Sequence, residues 1–472
     1  MNNPFCFEMR MPKELGKRID CKYYNPKIIN EIEKLKNYQS PNRIIEKLGK
    51  IAFVKGGKRL PKGHIFFKNE YDDIPYIRAT DIKHGKVNVE NSEKINYEVH
   101  KKVEKYQIYK GDVVITIVGI NVGEVGILEE DIGLCNFTEN IARISIMNED
   151  ILNQFVCLFL DSYLGKIQTQ RLSVGSMKDK LSLINCRNIN VLIPYNTKTE
   201  NFDINEQYRI INEVSVYNKK AEENLKYYHN KINEIKAYMH QKLKIRLPIE
   251  PKTEQVFSYV LSNNSADRVD ALFNNPYRDE LIFELKKYPY KKLGKIITIE
   301  KSGEILPSEF YNLIDLDDIS EDLGEVINIK EVPNLGSRKT VFRKGELLIS
   351  KLQPDKGKII LVDHKTDSCV GSSELVPLKL ISEDVLLEYL WIILRSDYVL
   401  KQWKYEITGS SRERIGKTEL KNTIIPIPNK DMQQEIINEM KEKINQAKNL
   451  LDEYKTSRQK AKQVFLYMIL KS

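Results

Sequence analysis

The stretch EQYRIINEVSVYNKKAEENLKYYHNKINEIKAYMHQKLKIRL, from Glu206 to Leu247, contains neither glycine nor proline and is followed by Pro248. From Ile211 onward, apolar residues recur in it at alternating spacings of three and four. A mean spacing of 3.5 residues predicts a long helix whose narrow apolar seam packs against another helix. At about 1.5 Å per residue such a helix is roughly 60 Å long, which indicates a spacer rather than part of a small core.

A second stretch of the same design ends the sequence. The segment 431–472 also lacks glycine and proline, and its apolar positions repeat those of the first stretch at one constant interval. This interval, called the helix interval below, is the one that relates Ile211 to Ile437. Two seams of equal length and register predict that the two helices pair with each other. The residues that we expect in this contact are Ile211, Val214, Leu225, Tyr228, Ile232 and Ile235 in the first helix and Ile437, Met440, Ile444, Leu451, Tyr454 and Phe465 in the second.

The segments before the two helices repeat as well. Lys110-Gly111-Asp112 is matched by Lys344-Gly345-Glu346, and the same spacing, called the domain interval below, relates Gly175-Ser176 to Gly409-Ser410. Both segments contain β-rich runs, at 113–118 and 347–350, and apolar helical runs, at 150–170 and 384–403, each of which begins at an acidic N-cap candidate. The sequence therefore predicts an α+β fold in internal repeat, with domains at 1–204 and 251–430 and long helices at 205–250 and 431–472.

The two copies differ most at 55–105 and 301–340. A repeated scaffold with different loops is expected where a common frame presents two different binding surfaces.

Composition narrows the class of protein. The 472 residues carry a formal charge of +9, from 75 basic and 66 acidic side chains, which permits a nucleic-acid partner without requiring one. The six cysteines are scattered without a C-x-x-C pair, which favours a reducing compartment and offers no zinc site. No apolar run is long enough to cross a bilayer and the first residues lack a signal-peptide core, so we expect a soluble cytoplasmic protein without a membrane partner.

Basic clusters are the best candidates for binding. A Gly-Ser turn followed by two cations occurs in both copies, with Lys178 and Lys180 in the first and Arg412 and Arg414 in the second. Glycine lets the backbone approach a ligand closely, and lysine and arginine neutralise phosphates or contact guanine edges. The predicted DNA-binding residues are Lys58, Arg59, Lys62, Arg78, Lys83, Lys178, Lys180, Arg338, Lys339, Arg343, Arg412, Arg414 and Lys417.

One catalytic pattern is an alternative. Asp355, Asp363 and Lys365 fit the loose arrangement of acid, spacer, acid and lysine by which some nucleases hold a divalent metal ion. The matching residues of the first copy do not form this pattern, so a turn and a strand end explain it better. We expect no metal site, no cofactor and no catalytic residue in the chain.

The order of several short motifs, most of them present twice, resembles the specificity subunit of type I restriction–modification systems. These motifs are Ile19-Asp20-Cys21-Lys22-Tyr23-Tyr24-Asn25-Pro26, Leu48-Gly49-Lys50-Ile51, Tyr76-Ile77-Arg78-Ala79-Thr80-Asp81-Ile82, Lys110-Gly111-Asp112, Ile193-Pro194, and the helix starts at Gln207 and Gln433-Gln434. The second opening departs from the family pattern, because Phe273-Asn274 replaces the aromatic pair.

The resemblance implies two target-recognition domains, each of which reads half of a split site in double-stranded DNA, separated by two antiparallel helices. It also implies that two methyltransferase (modification) subunits and the restriction or translocase subunits carry out the chemistry. Two related functions remain as alternatives: the recognition subunit of another defence methyltransferase complex, and a protein-binding scaffold.

Overall fold

The computed structural model describes residues 23–64, 66, 74–90, 92–175, 179–250, 273–303, 305, 307–363, 369–409 and 412–471. The chain divides into two compact units, one of Met1–Glu222 with Tyr454–Ser472 and the other of Glu223–Glu453. Each unit thus contains a domain and a part of both long helices. Over the described ranges, no helix has the length and apolar content that crossing a membrane requires.

The first domain alternates short helices and strands. Its helices are α1 (Pro26–Lys36), α2 (Leu48–Ile51), α3 (Tyr97–Val103), α4 (Asn153–Asp161), α5 (Tyr163–Leu172) and α6 (Leu183–Arg187). Its strands are β1 (Arg43–Lys47), β2 (Ala52–Gly56), β3 (Ile74–Ile77), β4 (Ile82–Lys83), β5 (Gly85–Val87), β6 (Glu93–Ile95), β7 (Val113–Thr116), β8 (Val118–Gly119), β9 (Val125–Ile127), β10 (Asn136–Phe137), β11 (Ile141–Ile146), β12 (Asp179–Lys180), β13 (Asn190–Asn196) and β14 (Asn201–Phe202). The first long helix, α7 (Ile204–Leu243), follows.

The second domain repeats the main elements of this order with fewer described helices and strands. Its helices are α8 (Pro276–Lys286), α9 (Leu387–Leu394), α10 (Asp397–Glu406) and α11 (Lys417–Asn422). Its strands are β15 (Tyr290–Lys292), β16 (Ile297–Ile299), β17 (Tyr311–Ile314), β18 (Lys330–Val332), β19 (Lys339–Val341), β20 (Leu347–Ser350), β21 (Ile359–Leu361), β22 (Val370–Ser372), β23 (Leu375–Leu380) and β24 (Ile424–Pro426). The second long helix, α12 (Lys430–Leu470), follows.

The main sheets of the two domains share one strand order and one register. Four strands run in the order β2-β11-β7-β9 in the first domain and β16-β23-β20-β21 in the second. Ile141 pairs with Thr116 in the first sheet, and Leu375 pairs with Ser350 in the second, so that both partners are shifted by the domain interval. The predicted mixed α and β repeat is confirmed, and in both domains the β-rich run forms a hairpin, β7 with β9 and β20 with β21.

A buried glutamine joins the start of each long helix to its own domain. The Gln207 side chain accepts a hydrogen bond from the Leu152 backbone N–H at 2.9 Å and donates one to the Asp150 carbonyl at 2.8 Å. Gln433 makes the same two bonds, both 2.8 Å long, to the equivalent backbone groups before α9. Both glutamines are fully buried, so these bonds satisfy groups that water does not reach.

The long helices contribute to the core of each compact unit. In the first unit, the core includes Val214 from α7 and Phe465 from α12, whose ring lies 5.6 Å from that of Phe155 in α4. In the second unit, the core takes in these buried residues of the two helices: Tyr228, Ile232, Ile235, Met239, Leu243, Ile436, Ile437, Met440, Ile444 and Ala447. Of the other predicted seam residues, Ile211, Leu225 and Leu451 are half-buried and Tyr454 is 8% exposed.

Two sequence-based helix predictions are wrong in detail. Each helix predicted over 150–170 and 384–403 is two helices, and the breaks fall at Ser162 and at 395–396. The predicted acidic N-caps are also wrong, since α4 and α9 begin after Leu152 and Leu386 without a side-chain cap. The loop carbonyls of the two acidic residues instead accept the glutamine bonds described above, which holds these residues outside the helices.

The first long helix is shorter than the sequence predicted. It ends at Leu243, because Lys244 adopts a left-handed conformation with φ of 55°. The following segment packs without helical structure, and the Ile245 carbonyl accepts a hydrogen bond from the buried Tyr398 hydroxyl at 3.0 Å.

The glutamine bonds predict a specific loss of stability. Replacing Gln433 by Leu leaves the Leu386 N–H and a loop carbonyl without partners and should destabilise the second unit by about 2 kcal/mol. The adjacent Gln434 is exposed and its side chain bonds to Asn438, so Gln434→Leu should change stability by less than about 0.5 kcal/mol. Urea unfolding followed by tryptophan fluorescence measures this unit, since both tryptophans of the chain, Trp391 and Trp403, belong to it. Equal unfolding midpoints for the two variants would contradict the assigned role.

Candidate nucleic-acid interface

In each copy, the described residues on either side of the Gly-Ser motif pair as in a short hairpin, and residues 176–178 and 410–411 lie outside the described ranges. In the first domain, Val174 and Lys180 exchange two backbone hydrogen bonds of 2.8 Å. In the second, Thr408 and Arg414, which correspond to them by the domain interval, exchange two bonds of 2.9 Å. The glycine that follows the first strand has positive φ in both hairpins, 141° at residue 175 and 99° at residue 409. This glycine therefore has the same backbone role in both domains.

The domain frame fixes both hairpins at the same place. The Leu181 N–H bonds to the Ile117 carbonyl at 2.8 Å, and the Ile415 N–H bonds to the Lys351 carbonyl at 3.0 Å. Both pairs of residues are again related by the domain interval. Lys180 is exposed at the end of its hairpin, and Lys178 lies outside the described residues.

The two cations of the second hairpin have different environments. Arg414 forms a bidentate ion pair with Glu374, with N–O distances of 2.8 and 3.1 Å. The hydrogen bonds from Arg414 lower the pKa of the Glu374 carboxyl, and the same pairing raises the pKa of Arg414. Arg412 is exposed. This geometry makes Arg412 the cation available to a phosphate, while Arg414 holds the hairpin to the frame.

A second basic loop, at 56–62, packs against β10. The Lys58 N–H bonds to the Phe137 carbonyl at 3.1 Å, and the Lys58 carbonyl accepts a hydrogen bond from the Tyr76 hydroxyl. Burial raises the pKa of Tyr76 to about 12, so this phenol remains a donor at neutral pH. A Cβ atom at Gly57 would lie 2.2 Å from the Thr138 carbonyl oxygen, so the loop needs glycine at this position to pack so closely.

The remaining candidate DNA-binding residues of the first domain form two groups, arginines that are paired with an acidic side chain and lysines that are exposed. Arg59 pairs with Glu139 at 2.6 Å, and Arg78 pairs with Glu93 at 3.0 Å. Three lysines are exposed: Lys58, Lys62 and Lys83. The acidic partners reduce the net positive charge that Arg59 and Arg78 can offer to a phosphate.

In the second domain, Lys339 is largely buried and its ammonium lies 3.7 Å from the Asp315 carboxylate. The exposed candidates are Arg338, Arg343 and Lys417, of which Lys417 is the first residue of α11.

The fold adds basic residues that the sequence analysis did not select. The Lys55 ammonium donates to the Lys105 carbonyl at 2.6 Å, and the Lys102 ammonium lies 2.8 Å from Nε2 of His64. These contacts bring the end of α3 beside the basic loop at 56–62. The lysines at 101–105 were visible in the sequence, but their proximity to a loop much earlier in the chain depends on the sheet.

The proposed nuclease residues gain no support from the fold. Asp355 lies in a turn, half-buried, and its nearest described ion-pair contact is Lys356 at 3.9 Å. Asp363 is exposed shortly after β21, and Lys365 lies outside the described residues. Within the described ranges, no group of three or more histidine, cysteine, aspartate and glutamate side chains is placed to hold a metal ion.

Comparison with known proteins assigns both copies to one family. The family model of the type I restriction modification DNA specificity domain matches this chain twice, at residues 45–219 and 285–453. The two matched segments are the two repeats, each made of a domain and part of the long helix that follows it.

Two curated relatives match over a shorter region. The chain is 30% identical over 143 residues to the EcoBI type I restriction enzyme specificity subunit of Escherichia coli, which covers 30% of this chain and 28% of that protein. It is 24% identical over 154 residues to the HindI specificity subunit of Haemophilus influenzae, covering 32% and 30%. The aligned regions therefore span less than a third of the length of either relative.

Among solved structures, the type I restriction–modification S subunit of M. genitalium matches at 13% identity over 92% of this chain and 98% of that chain, with a TM-score of 0.41. The family model covers well over half of the residues and coincides with the repeat seen in the sheets. The chain belongs to the type I restriction modification DNA specificity family.

Proposed function

We propose that this chain is the DNA-specificity subunit of a type I restriction–modification complex. Each domain reads one half of a split site in double-stranded DNA. The repeated hairpin pairing carries this proposal: one frame pairs Val174 with Lys180 and Thr408 with Arg414 and presents the exposed cations Lys180 and Arg412 there. The sequences at 55–105 and 301–340, by contrast, differ between the copies. Cations on equivalent hairpins suit the uniform phosphate backbone, and different loops suit different base sequences.

The reaction itself belongs to partner subunits in this proposal. The relatives are named as specificity subunits of type I restriction enzymes. We infer that two modification subunits bind this chain and methylate the DNA, and that restriction or translocase subunits complete the complex. The chain then needs no cofactor and no catalytic residue of its own, and it acts in the cytoplasm with its DNA substrate.

The two long helices set the distance between the half-sites in this proposal. Support comes from each compact unit separately. Arg458 of α12 contacts Asn218 of α7 in the first unit, and Lys242 of α7 contacts Glu435 of α12 in the second.

A second contact in each unit gives the direction of the two helices. Arg43 bonds both to Glu206 of α7 and to the Met468 carbonyl of α12 in the first unit. In the second unit, Lys443 of α12 lies over the Tyr238 ring of α7. Within each unit, residue numbers rise along one helix as they fall along the other, which is the pattern of antiparallel pairing.

The hairpin cations predict the salt dependence of DNA binding. Replacing Lys180 and Arg412 together by Ala should weaken binding and lower the slope of log K against log salt by about two, because each phosphate contact contributes about 0.9. Replacing Lys226 and Lys236, which are exposed on α7, serves as the matched control and should leave the slope unchanged. Fluorescence anisotropy over a range of salt concentrations measures both slopes. If the hairpin variant kept the original slope, these cations would not contact DNA.

The difference between the loops predicts modular specificity. Exchanging residues 302–340 for the matching segment of another family member should change one half of the recognised site and leave the other half intact. Selection from random DNA with the full complex gives both halves in one experiment. A change in both halves would contradict the assignment of one half-site to each domain.

A further inference from the structure

The polar exceptions in the apolar seams contact each other. Asn218 is a polar residue in the seam of α7 and Arg458 is the polar residue in the seam of α12. Arg458 donates from Nη1 to Asn218 Oδ1 at 2.7 Å and from Nη2 to Asp161 Oδ2 at 3.2 Å. The Asp161 carboxylate, at the end of α4, also binds the ammonium groups of Lys166 and Lys462 at 3.2 and 3.0 Å. The seam of the first unit therefore contains a half-buried polar cluster whose members are hydrogen-bonded around the buried Asp161.

The same positions are apolar in the second unit. The helix interval relates Asn218 to Ile444, and Ile232 to Arg458. The contact between Lys242 and Glu435 sets the antiparallel register there, and it places Ile232 and Ile444 nearly opposite each other. Both isoleucines are buried in one core, with exposures of 4% and 3%. In the native pairing, the polar Asn218 thus contacts the polar Arg458, and the apolar Ile232 lies opposite the apolar Ile444.

We propose that these four positions make the two repeats pair with each other and not with second copies of themselves. If two copies of the second repeat paired, each Ile444 would meet an Arg458, and the half-buried guanidinium would lose its amide acceptor. If two copies of the first repeat paired, each Asn218 would meet an Ile232. Both alternatives place a polar group against an apolar side chain and remove its hydrogen-bond partner, which is unfavourable, and more so for a charged group.

A domain residue close to the helices of the second unit also disfavours the pairing of two second repeats. The domain interval relates Asp161 to Arg395. Arg395 and Ile232 line one cavity of the second unit, with a volume of about 370 Å³. Pairing of two second repeats would put an arginine in the place of Ile232, so that the cavity lined by Arg395 would gain a second guanidinium. Burial lowers the pKa of Arg395 to about 10 even though Asp322 and Glu325 act to raise it, so the first guanidinium is already in an unfavourable environment.

A second pair of positions disfavours pairing of two first repeats. The position of α7 that corresponds to Glu435 is Arg209. Pairing of two first repeats would therefore bring Lys242 next to Arg209 in place of the native Lys242–Glu435 contact. Polar and charged seam residues of this kind specify partner and register in paired helices, at some cost in stability.

Relocating the arginine tests the proposal in the full chain. In a variant with Ile232→Arg and Arg458→Ile, the first repeat carries both polar residues and the second carries only apolar ones. Each repeat then matches a copy of itself, so the variant should refold from urea as a dimer or larger assembly, in a proportion that rises with concentration. The original chain should refold as a monomer. Size-exclusion chromatography with light scattering measures the masses.

The matched control places the arginine on exposed surface, with Val216→Arg and Arg458→Ile. It has the same charge as the relocated variant but no polar pair in a self-matched repeat, so it should form clearly fewer assemblies. A folded relocated variant with the same mass distribution as this control would overturn the proposal.

A thermal cycle keeps the proposal testable if the relocated variant does not fold. Asn218→Leu and Arg458→Leu alone each place a polar group against an apolar one, and each should lower the melting temperature. The double variant has leucine at both positions, so that an apolar residue again meets an apolar one. It should therefore melt at a higher temperature than either single variant. If the double variant instead lost as much as the two single variants together, the positions would not act as a matched pair. Neither experiment involves DNA, so its failure would leave the proposed DNA-binding function untouched.

Discussion

The packing of the two long helices within each compact unit is the interaction on which the rest of the structure depends. The core of the first unit contains Phe465 and Met468 from α12, which belongs to the second repeat. The core of the second unit contains Tyr228 and Ile232 from α7, which belongs to the first. Burying one such large apolar side chain contributes about 1.5–3 kcal/mol, an appreciable share of the stability of a domain. Each domain therefore uses apolar surface from the other repeat.

Buried amide groups make the repeated frame rigid. Besides the glutamines that hold the long helices, Gln168 and Gln402 occupy equivalent positions in α5 and α10. Gln402 donates to the Ile424 carbonyl at 2.8 Å and accepts from the Ile424 N–H at 2.8 Å, and Gln168 makes the same pair of bonds to Asn190. Both pairs fix equivalent strands near the end of a domain, β13 in the first and β24 in the second. A frame determined by such bonds can present different loops without changing the position of the helices.

The sequence predicted the parts of the fold that depend on local pattern and internal repetition. The period of 3.5 predicted both long helices, and the constant domain interval predicted the equivalent hairpins. The break at Ser162 was not predictable, because the apolar pattern continues through it. The end of α7 at Leu243 was missed because Lys244 has no glycine-like signal for a left-handed conformation. Each of these two errors concerns a backbone conformation that tertiary contacts stabilise.

The equivalence of the two Gly-Ser segments was predictable from the sequence, but the contacts of their cations were not. The two motifs predicted equivalent loops, and the described residues that flank them are paired in the same way in both domains. The sequence could not separate Arg414 from Arg412, because the acidic partner Glu374 lies far from both along the chain. It also could not join Lys102 to the loop at 56–62, since that proximity depends on the arrangement of α3 beside the loop.

The central claim is that the paired helices set the spacing of the two half-sites, and a matched deletion tests it most directly. Removing residues 225–231 of α7 and 445–451 of α12 takes one heptad from each of two segments that lie opposite each other, and the remaining seams keep their register. The spacer loses about 10 Å at 1.5 Å per residue, or about three base pairs at 3.4 Å each. Selection from DNA with a randomised gap should return the same half-sites with a gap shorter by about three base pairs. A folded variant that still preferred the original gap would contradict the account.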